Sequence, residues 1–359
     1  MALMGNAREQ QPSDSPIRKR AGLRCRGAPL RLAVAPTTLP ALPMDPQLAL
    51  LLAAVLLDAL LGDPNYRLHP IRVLGHGSIA LEHGLFARGW AGRLAGVLHG
   101  LAVTLGALGA WWLVHLGLDA LHPLLGWLWD VYIAYSLLCT RDLLEHGRRV
   151  LAVLDDLPAA RERLRWLVSR DTEGLDRGAV VRATIESLAE NLTDGVLTPL
   201  WALALLGIPG LIMAKAISSL DSMVGYRTER YRRFGWAAAR ADDLLHWLPA
   251  RLSVPLLAVA AALTGQHWRA VLPAARCWHG ALASPNSGWS EAAAAGALHV
   301  RLAGPVSYHG AWQDKPWMGD AAWPEDLAAD DLRRALRLVA VAAALAVVVA
   351  LGMFLVVRG

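Results

Sequence analysis

The chain has 359 residues, of which 55% are hydrophobic and only 18% are charged, and its formal net charge is +5. Soluble domains carry about 25% charged residues, so this composition disfavours an ordinary soluble enzyme. Most of the positive charge is local, because residues 1–45 hold seven basic and three acidic residues, leaving 28 basic and 27 acidic residues for the remainder. The balance gives no support to a nucleic-acid-binding protein, and we expect no nucleic acid among the partners.

Residues 1–43 form a basic segment that contains several prolines, and the first long apolar run begins only at residue 47. This composition predicts a disordered extension whose charge favours the cytoplasmic side of a membrane. A signal peptide is not expected, because the apolar run ends in LLGDP instead of a small-residue cleavage site. Met44 directly precedes that run. We therefore expect either that Met44 is the true start or that residues 1–43 are dispensable. Residues 44–359 are expected to form a single membrane-embedded domain.

Apolar segments recur along the rest of the chain, and a helical membrane span needs about 20 such residues. Three strong candidates are 47–61, 94–118 and 336–357. Three weaker ones, interrupted by proline, glycine or a charge, are 121–139, 196–214 and 248–264. A soluble bundle of unusually apolar helices could absorb the weaker segments, but hardly 336–357. The pattern predicts an all-α, polytopic integral membrane protein.

Four polar segments separate these spans and must carry any chemistry: 62–93, 141–194, 215–247 and 266–332. They show no internal repeat and no convincing strand alternation, so they are predicted to be helical polar loops. No Walker loop, GxGxxG or GxSxG motif occurs, so a nucleotide would have to bind in another mode. The cysteines are isolated and the histidines form no HExxH motif, so we predict no disulfide framework and no structural metal site.

Three carboxylates recur at helical spacing in segment 182–195, RATIESLAENLTDG. Glu186, Glu190 and Asp194 would lie on one helix face, and Gly195 is expected to end that helix. Crowded like charges favour a bound cation, a basic partner or a raised pKa. A solvated acidic face is the alternative, although the cluster runs into an apolar segment where unpaired carboxylates are unfavourable.

A lysine beside hydroxyl groups follows in segment 215–226, KAISSLDSMVGY. Lys215 and Ser222 share a helical face, and Asp221 lies beside them. This group could bind a phosphate or a carboxylate at membrane depth. The alternative is a lysine that extends to the membrane interface while small residues pack the helices together.

Two further groups of polar residues lie towards the carboxyl terminus. Asp242 and Asp243 stand between Arg240 and Arg251, where they could hold Mg²⁺ or form ion pairs with the arginines. Segment 284–310 begins SPNSGWSE and ends GPVSYHG, which is typical of a loop followed by a helix start. Ion pairing and helix capping remain alternatives to a functional role for these groups.

Taken together, these stretches resemble the membrane-bound cobinamide or adenosylcobinamide-phosphate synthases of cobalamin biosynthesis, the CobD/CbiB family. The resemblance extends from about Met44 to the end of the chain, and its departures are small: Thr193 and the Ile-Ser-Ser at 217–219. Five long motifs in the family's order carry it: LLGDPNYRLHPIRVLG at 60–75, RDTEGLD at 170–176, ESLAENLTDGVLTPLW at 186–201, KAISSLDSMVGYRTERYRRFGWAAARADDLLHWLPARL at 215–252 and SPNSGWSEAAAAGALHVRLAGPVSYHG at 284–310.

The resemblance implies a carbon–nitrogen (acid–amine) ligase. Such an enzyme joins the propionate side chain of adenosylcobyric acid to (R)-1-amino-2-propanol or its O-phosphate, giving adenosylcobinamide or its phosphate. The resemblance also implies ATP and Mg²⁺ as cofactors, with cobalt present only in the corrinoid substrate. It further implies a multi-pass protein of the cell (inner) membrane, with the lipid bilayer, both substrates and other enzymes of the pathway as partners.

This reaction needs cations on the phosphates, metal ligands and a base. We predict that Asp194, Asp221, Asp242 and Asp243 act as Mg²⁺ ligands or bases, and that Lys215 completes the catalytic set by holding phosphate or propionate. The predicted substrate-binding set supports these groups, holds anionic substrate groups or shapes the corrin pocket: Glu186, Glu190, Asn191, Ser222, Tyr226, Arg240, Arg251, Asn286, Glu291 and Tyr308.

Two other classes of function stay open, a membrane transporter or sensor and a non-catalytic scaffold for the pathway. Transporters often contain paired half-repeats, and none is visible. If 141–194 and 215–247 build one site, they face the same side, so 196–214 would re-enter or be embedded without crossing. Its prolines and glycines are compatible with a broken helix buried in protein. Counting all six apolar segments as crossings instead puts 141–194 outside.

Overall fold

A computed structural model describes residues 44–63, 66–308 and 310–358, so the predicted extension 1–43 lies outside the described residues. The described chain is mainly helical, which confirms the predicted all-α polytopic fold. Its α-helices are α1 (Pro46–Leu61), α2 (Pro70–Ala87), α3 (Arg93–Leu121), α4 (Pro123–Leu137), α5 (Thr140–Ala152), α6 (Leu157–Leu164), α7 (Arg177–Asn191), α8 (Thr198–Val224), α9 (Tyr231–Phe234), α10 (Trp236–Leu245), α11 (Trp247–Leu263), α12 (Trp268–Trp278), α13 (Ser287–Leu298) and α14 (Ala329–Arg358).

Helices α1, α2 and α4 begin at a proline that follows a capping side chain. Asp45 Oδ1 accepts a hydrogen bond from the backbone N–H of Gln47 at 2.7 Å, and His69 Nδ1 accepts one from Ile71 at 3.3 Å. Proline suits the first helical position because the N–H it lacks would have no partner there. The His-Pro step of the motif at 60–75 therefore starts α2 and places His69 at its cap.

Four stretches of helix in the described residues are long and apolar enough to cross a membrane: Arg93–Leu121, Arg177–Val224, Trp236–Leu263 and Ala329–Val357. The strong candidates 94–118 and 336–357 are confirmed. The weaker candidate 196–214 lies inside the second stretch, and 248–264 overlaps the third as far as Leu263. The strong candidate 47–61 is wrong by this criterion, because α1 has 16 residues and is shorter than a span. The weaker candidate 121–139 forms α4, of 15 residues.

The prediction that Gly195 ends a helix is wrong, because α7 continues through a π-helical segment, Leu192–Leu197, into α8. The wider turn has a local cause. Pro199 has no N–H to bond with the carbonyl of Gly195, four residues earlier. The thiol of Cys139, at the start of α5, donates to that carbonyl instead, at 3.1 Å. Single π-turns within α-helices frequently mark functional sites.

Helix α8 is broken within its apolar part, which agrees with the compatibility of its prolines and glycines with a broken helix. Gly207 has φ 67° and ψ −159°, which is outside the helical region, and Pro209 follows two residues later. A residue with a side chain rarely adopts a positive φ, and proline cannot donate the hydrogen bond that would continue the helix. The polar carboxyl half of α8, which carries Lys215 and Asp221, therefore takes its direction from this break.

Short strands occur between α13 and α14, where the sequence predicted none. Strand β1 (Leu302–Ala303) pairs antiparallel with β4 (Trp317–Met318), and β2 (Val306–Tyr308) pairs antiparallel with β3 (Ala311–Gln313). Each strand has two or three residues, which is too short for alternation to be visible in the sequence. Strand β1 is in contact with α7, and the N–H of Ala303 in β1 donates to Glu186 on that helix.

Helices α7 and α13 are the most enclosed of the described helices. Their small residues allow neighbouring backbones to approach closely. A Cβ added at Gly296 would lie 2.6 Å from the carbonyl oxygen of Ala270 on α12. The consequence is that the acidic side chains of Glu186, Glu190 and Glu291 are carried by interior helices instead of a solvated surface.

Candidate functional site

A buried histidine lies among several of the predicted acidic residues. His246 is only 1% exposed, and its Nδ1 lies 2.8 Å from Thr198 Oγ1 and 3.3 Å from Asp194 Oδ1. Its Nε2 lies 3.1 Å from Asp242 Oδ1. The side chains of Asp194 and Asp242 retain 31% and 18% exposure. We call these four residues the histidine cluster, in which the carboxylates remain accessible and the imidazole does not.

Three separate elements build the histidine cluster. The π-helical segment supplies Asp194, and the first residue of α8 supplies Thr198. Asp242 lies on α10, one turn before His246, which joins α10 to α11. Asp221, on the polar half of α8, interacts electrostatically with Asp242 and Asp243 as well as with His246. The structure therefore brings together all four predicted aspartates.

His246 was not among the predicted site residues. A signal for it exists in the sequence, because Asp242 precedes it by four residues and an i, i+4 pair shares a helix face. Its contacts with Asp194 and Thr198 join residues about 50 positions apart, and the sequence offers no comparable signal for them.

A second group, the glutamate cluster, lies deeper in the fold: Arg170, Glu186, Glu190, Glu291, Tyr308 and Lys315. The guanidinium of Arg170 lies 2.6 Å from Glu186 Oε2, and Glu186 Oε1 accepts a hydrogen bond from the N–H of Ala303 at 2.8 Å. Lys315 Nζ donates to the hydroxyl of Tyr308 at 2.9 Å. Both oxygens of Glu186 are therefore engaged within the protein, and its role in substrate binding stays a prediction.

The two clusters are electrostatically connected through Glu190, which interacts with Arg170 in one and with Asp242 in the other. Arg170 and Lys315 were not predicted as site residues. Arg170 opens the RDTEGLD motif, which was the available signal, whereas Lys315 follows the last motif by five residues. The predicted Glu190, Glu291 and Tyr308 are thus found beside two cations that the sequence did not associate with them.

Glu291 has the clearest electrostatic perturbation in the glutamate cluster. It is 4% exposed, and burial raises the pKa of its carboxyl group well above the usual range. The negative charges of Glu190 and Glu186 raise the pKa further, against the opposing effect of Arg170 and Lys315. The protonated acid can donate a hydrogen bond, which an ionised carboxylate cannot.

We expect this raised pKa to appear as a pH dependence of stability. The folded state binds the Glu291 proton more tightly than the unfolded chain does, so the stabilising contribution is complete below the ordinary pKa of 4.5 and is lost as the pH rises through the raised value. The wild-type free energy of unfolding should fall by about 1.4 kcal/mol per pH unit across that window from this residue. Glu291→Gln, which cannot ionise, should lack this component.

The measurement is the thermal unfolding midpoint of both proteins in detergent, from about pH 5 to about pH 9. The Glu291→Gln midpoint should rise relative to the wild type as the pH increases. Parallel profiles for the two proteins would show that Glu291 ionises with an ordinary pKa.

Asn286 and Arg251 connect the histidine cluster to α13. Asn286 Nδ2 donates to the carbonyl of Asp243 at 2.8 Å, and Arg251 lies over the ring of Trp247 at 4.2 Å and of Trp289 at 5.2 Å. These contacts orient Arg251 without neutralising it. The predicted Arg240 instead forms an ion pair with Asp243 at 3.2 Å, which is the alternative that the sequence left open.

The remaining predicted residues are not gathered at either cluster. Asn191 Nδ2 donates to the carbonyl of Ser187 at 2.9 Å within α7, and Ser222 Oγ donates to the carbonyl of Ser218 at 3.0 Å within α8. Tyr226 is 51% exposed in the loop after α8. Lys215 lines a separate polar cavity. Their functional roles stay predictions.

The donor atoms of the four aspartates suit Mg²⁺, which prefers carboxylate oxygens. In the part of the chain that the structure describes, no three His, Cys, Asp or Glu side chains are arranged to hold a metal ion by themselves. Mg²⁺ is commonly bound through one or two carboxylates together with substrate phosphates, and it retains several waters. Binding of Mg²⁺ by these aspartates stays a prediction.

Comparison with known proteins places residues 51–339 in the family described as CobD/Cbib protein. A cobalamin biosynthesis protein CobD of Photorhabdus laumondii is 43% identical over 282 residues, which cover 76% of this chain and 87% of that protein. A CobD of Klebsiella pneumoniae is 40% identical, with 83% and 95% covered, and a CbiB of Salmonella typhimurium is 40% identical, with 82% and 93% covered. No solved structure matches the chain.

Proposed function

This chain belongs to the CobD/CbiB family of cobalamin biosynthesis proteins, and we propose that it is an acid–amine ligase of the adenosylcobinamide-phosphate synthase type. In the proposed reaction, ATP drives amide formation between the propionate of adenosylcobyric acid and (R)-1-amino-2-propanol or its O-phosphate. The observation that carries the proposal is the histidine cluster, in which two accessible carboxylates bracket a buried imidazole.

The chemistry explains why such a cluster is needed. A carboxylate does not react with an amine at neutral pH, so its oxygen first attacks the γ-phosphorus of ATP, giving an acyl phosphate and ADP. The amine nitrogen then attacks the acyl carbon, the C–N bond forms, and phosphate leaves with the electron pair of the broken C–O bond. After the neutral amine attacks, the nitrogen must lose one proton to give the amide, which keeps its other N–H, and a positioned base accelerates that step.

Asp194 and Asp242 are the groups proposed to accept the proton, because they are the accessible members of the cluster. His246 touches both carboxylates and is almost fully buried, so it acts as a positioning residue that orients them and shares the charge. Mg²⁺, when bound with ATP, would neutralise phosphate charge, with Asp221 and Asp243 as its candidate oxygen ligands.

The glutamate cluster is proposed to bind the polar periphery of the corrinoid. That substrate carries amide groups, and protonated Glu291 together with Tyr308 offers hydrogen-bond donors of matching polarity. Arg251, oriented by two tryptophans, is proposed to hold the reacting propionate before activation. We place the enzyme in the cell (inner) membrane, where other enzymes of the pathway are candidate partners.

A complementation experiment tests the proposed function in a cell. The full chain is expressed in a host that lacks its own synthase and depends on cobalamin for growth. Growth is expected on added cobyric acid, because the chain converts it to cobinamide or its phosphate. An empty vector should support growth only on added cobinamide. Cells that carry the chain and still require cobinamide would contradict the proposal.

A further inference from the structure

A polar cavity lies close to the histidine cluster and has no assigned role in the proposed reaction. Its volume is about 610 Å³, and its walls come from the start of α2, the end of α4, helices α5 and α6, and α8. We call it the cationic cavity, because four basic side chains line it: Arg72, Arg149, Arg163 and Lys215.

The acidic side chains of the cationic cavity are already engaged. Asp63 Oδ1 lies 2.7 Å from Nε2 of His69, and Asp142 Oδ2 accepts a hydrogen bond from the backbone N–H of Asp63 at 2.6 Å. These contacts tie the carboxylates to the loop between α1 and α2. Asp142 also interacts electrostatically with Arg149, so the two carboxylates offset only part of the charge of the four basic side chains.

The basic side chains, in contrast, have few partners. Arg149 Nε lies 3.2 Å from Glu145 Oε1, in a pair whose members are both partly exposed. Arg72, Arg163 and Lys215 form no ion pair with any residue in the described ranges. A concave site with an excess of positive charge attracts anions, and guanidinium groups match the geometry of phosphate oxygens.

The cationic cavity is linked to the histidine cluster through Cys139. Cys139 lines the cavity, and its thiol donates to the carbonyl of Gly195, the residue next to Asp194. Lys215 lies on the same half of α8 as Asp221, six residues earlier. An anionic group held in the cavity would therefore be close to the carboxylates proposed for the chemistry.

We propose that the cationic cavity binds the phosphate groups of a substrate, with Arg72, Arg149, Arg163 and Lys215 as their ligands. This inference rests on the proposed function, which offers two sources of phosphate, ATP and the O-phosphate of the amine. The volume lies within the range of about 300–1,000 Å³ that is common for small-molecule sites, and it admits either. Trp166, 72% exposed at the cavity, could stack on a nucleotide base and would favour ATP.

The experiment measures equilibrium binding to the purified full chain in lipid nanodiscs, with no other substrate present. The probes are ATP and (R)-1-amino-2-propanol O-phosphate, each in separate titrations. Arg72→Ala and Arg163→Ala should each raise the dissociation constant of the bound phosphate compound by about tenfold or more, because each removes a charge-assisted contact. Both side chains are exposed, so their loss should leave the fold intact.

Arg148→Ala is the matched control, because Arg148 is adjacent to Arg149 on α5, is exposed and does not line the cavity. Trp166→Ala separates the two sources, since it should weaken ATP binding and leave binding of the amine phosphate unchanged. Weaker binding of either probe in the cavity variants, with none in Arg148→Ala, supports the inference and identifies the source.

The inference is overturned if the cavity variants bind both probes as tightly as Arg148→Ala does. It is equally overturned if the wild-type chain shows no saturable binding of either probe, even where complementation succeeds. If the chain binds ATP through these arginines but fails to support growth on cobyric acid, the anion site is supported and the proposed function is contradicted.

Discussion

Replacing Asp194 with asparagine is expected to lower kcat for amide formation by about 100-fold to about 10,000-fold, the range that a positioned base contributes. Asparagine keeps the size of the side chain and cannot accept the proton. His246→Gln, which removes the positioning residue, should lower kcat by about 10-fold to about 100-fold. Both effects should appear in kcat with little change in KM, measured with saturating ATP while the corrinoid concentration is varied up to saturation.

Asp330→Asn provides the control for Asp194→Asn, because it is the same substitution at a side chain that is 70% exposed at the start of α14. It should retain wild-type activity. A surplus of Mg²⁺ distinguishes a base from a metal ligand, since added metal should restore a weakened metal site and not a missing base. Folded Asp194→Asn protein with near wild-type kcat would contradict the assigned role.

The Arg170–Glu186 pair is expected to have the largest effect on stability. Arg170→Met should lower the free energy of unfolding by about 3–5 kcal/mol, because Glu186, with a side chain only 4% exposed, would be left as an uncompensated buried charge. The double variant Arg170→Met, Glu186→Gln should recover most of that loss, since the glutamine carbonyl can still accept from Ala303. Unfolding in detergent, followed by intrinsic fluorescence, measures both.

The pair between Arg177 and Asp155 is the matched comparison. Its atoms are also 2.6 Å apart, but its side chains are 52% and 93% exposed. Arg177→Met should change the free energy of unfolding by less than about 1 kcal/mol, because water screens an exposed pair. Equal losses of unfolding free energy for Arg170→Met and Arg177→Met, or no recovery in the double variant, would show that burial does not increase the energetic effect of breaking the Arg170 pair.

Much of the fold was predictable because apolar composition determines which helices can lie in a membrane. The segments 94–118 and 336–357 are uninterrupted, and both become parts of long helices. The break in α8 also has a local cause, because Gly207 tolerates a positive φ and Pro209 cannot donate a helical hydrogen bond. The contact that accompanies the continuation past Gly195 was not predictable, because the Cys139 thiol that donates to the Gly195 carbonyl lies 56 residues away in the sequence.

The candidate site was also only partly predictable from the sequence. The sequence singled out the four aspartates by their motifs, and the structure brings them together. It missed the pairing of Arg170 with Glu186, because that contact depends on the packing of a loop against α7. It placed Lys215 with the serines of its own helix, whereas the structure places it opposite arginines from α2, α5 and α6.

The proposed function requires that this chain itself forms the amide bond at the expense of ATP. The direct measurement incubates the purified chain, in a lipid bilayer, with adenosylcobyric acid, ATP, Mg²⁺ and either (R)-1-amino-2-propanol or its O-phosphate, and analyses the corrinoid by mass spectrometry. We predict a product with the mass of adenosylcobinamide or its phosphate, one ADP for each amide, and no product without ATP. Unchanged adenosylcobyric acid in every mixture, or product formed equally well without ATP, would contradict the proposed ligase activity.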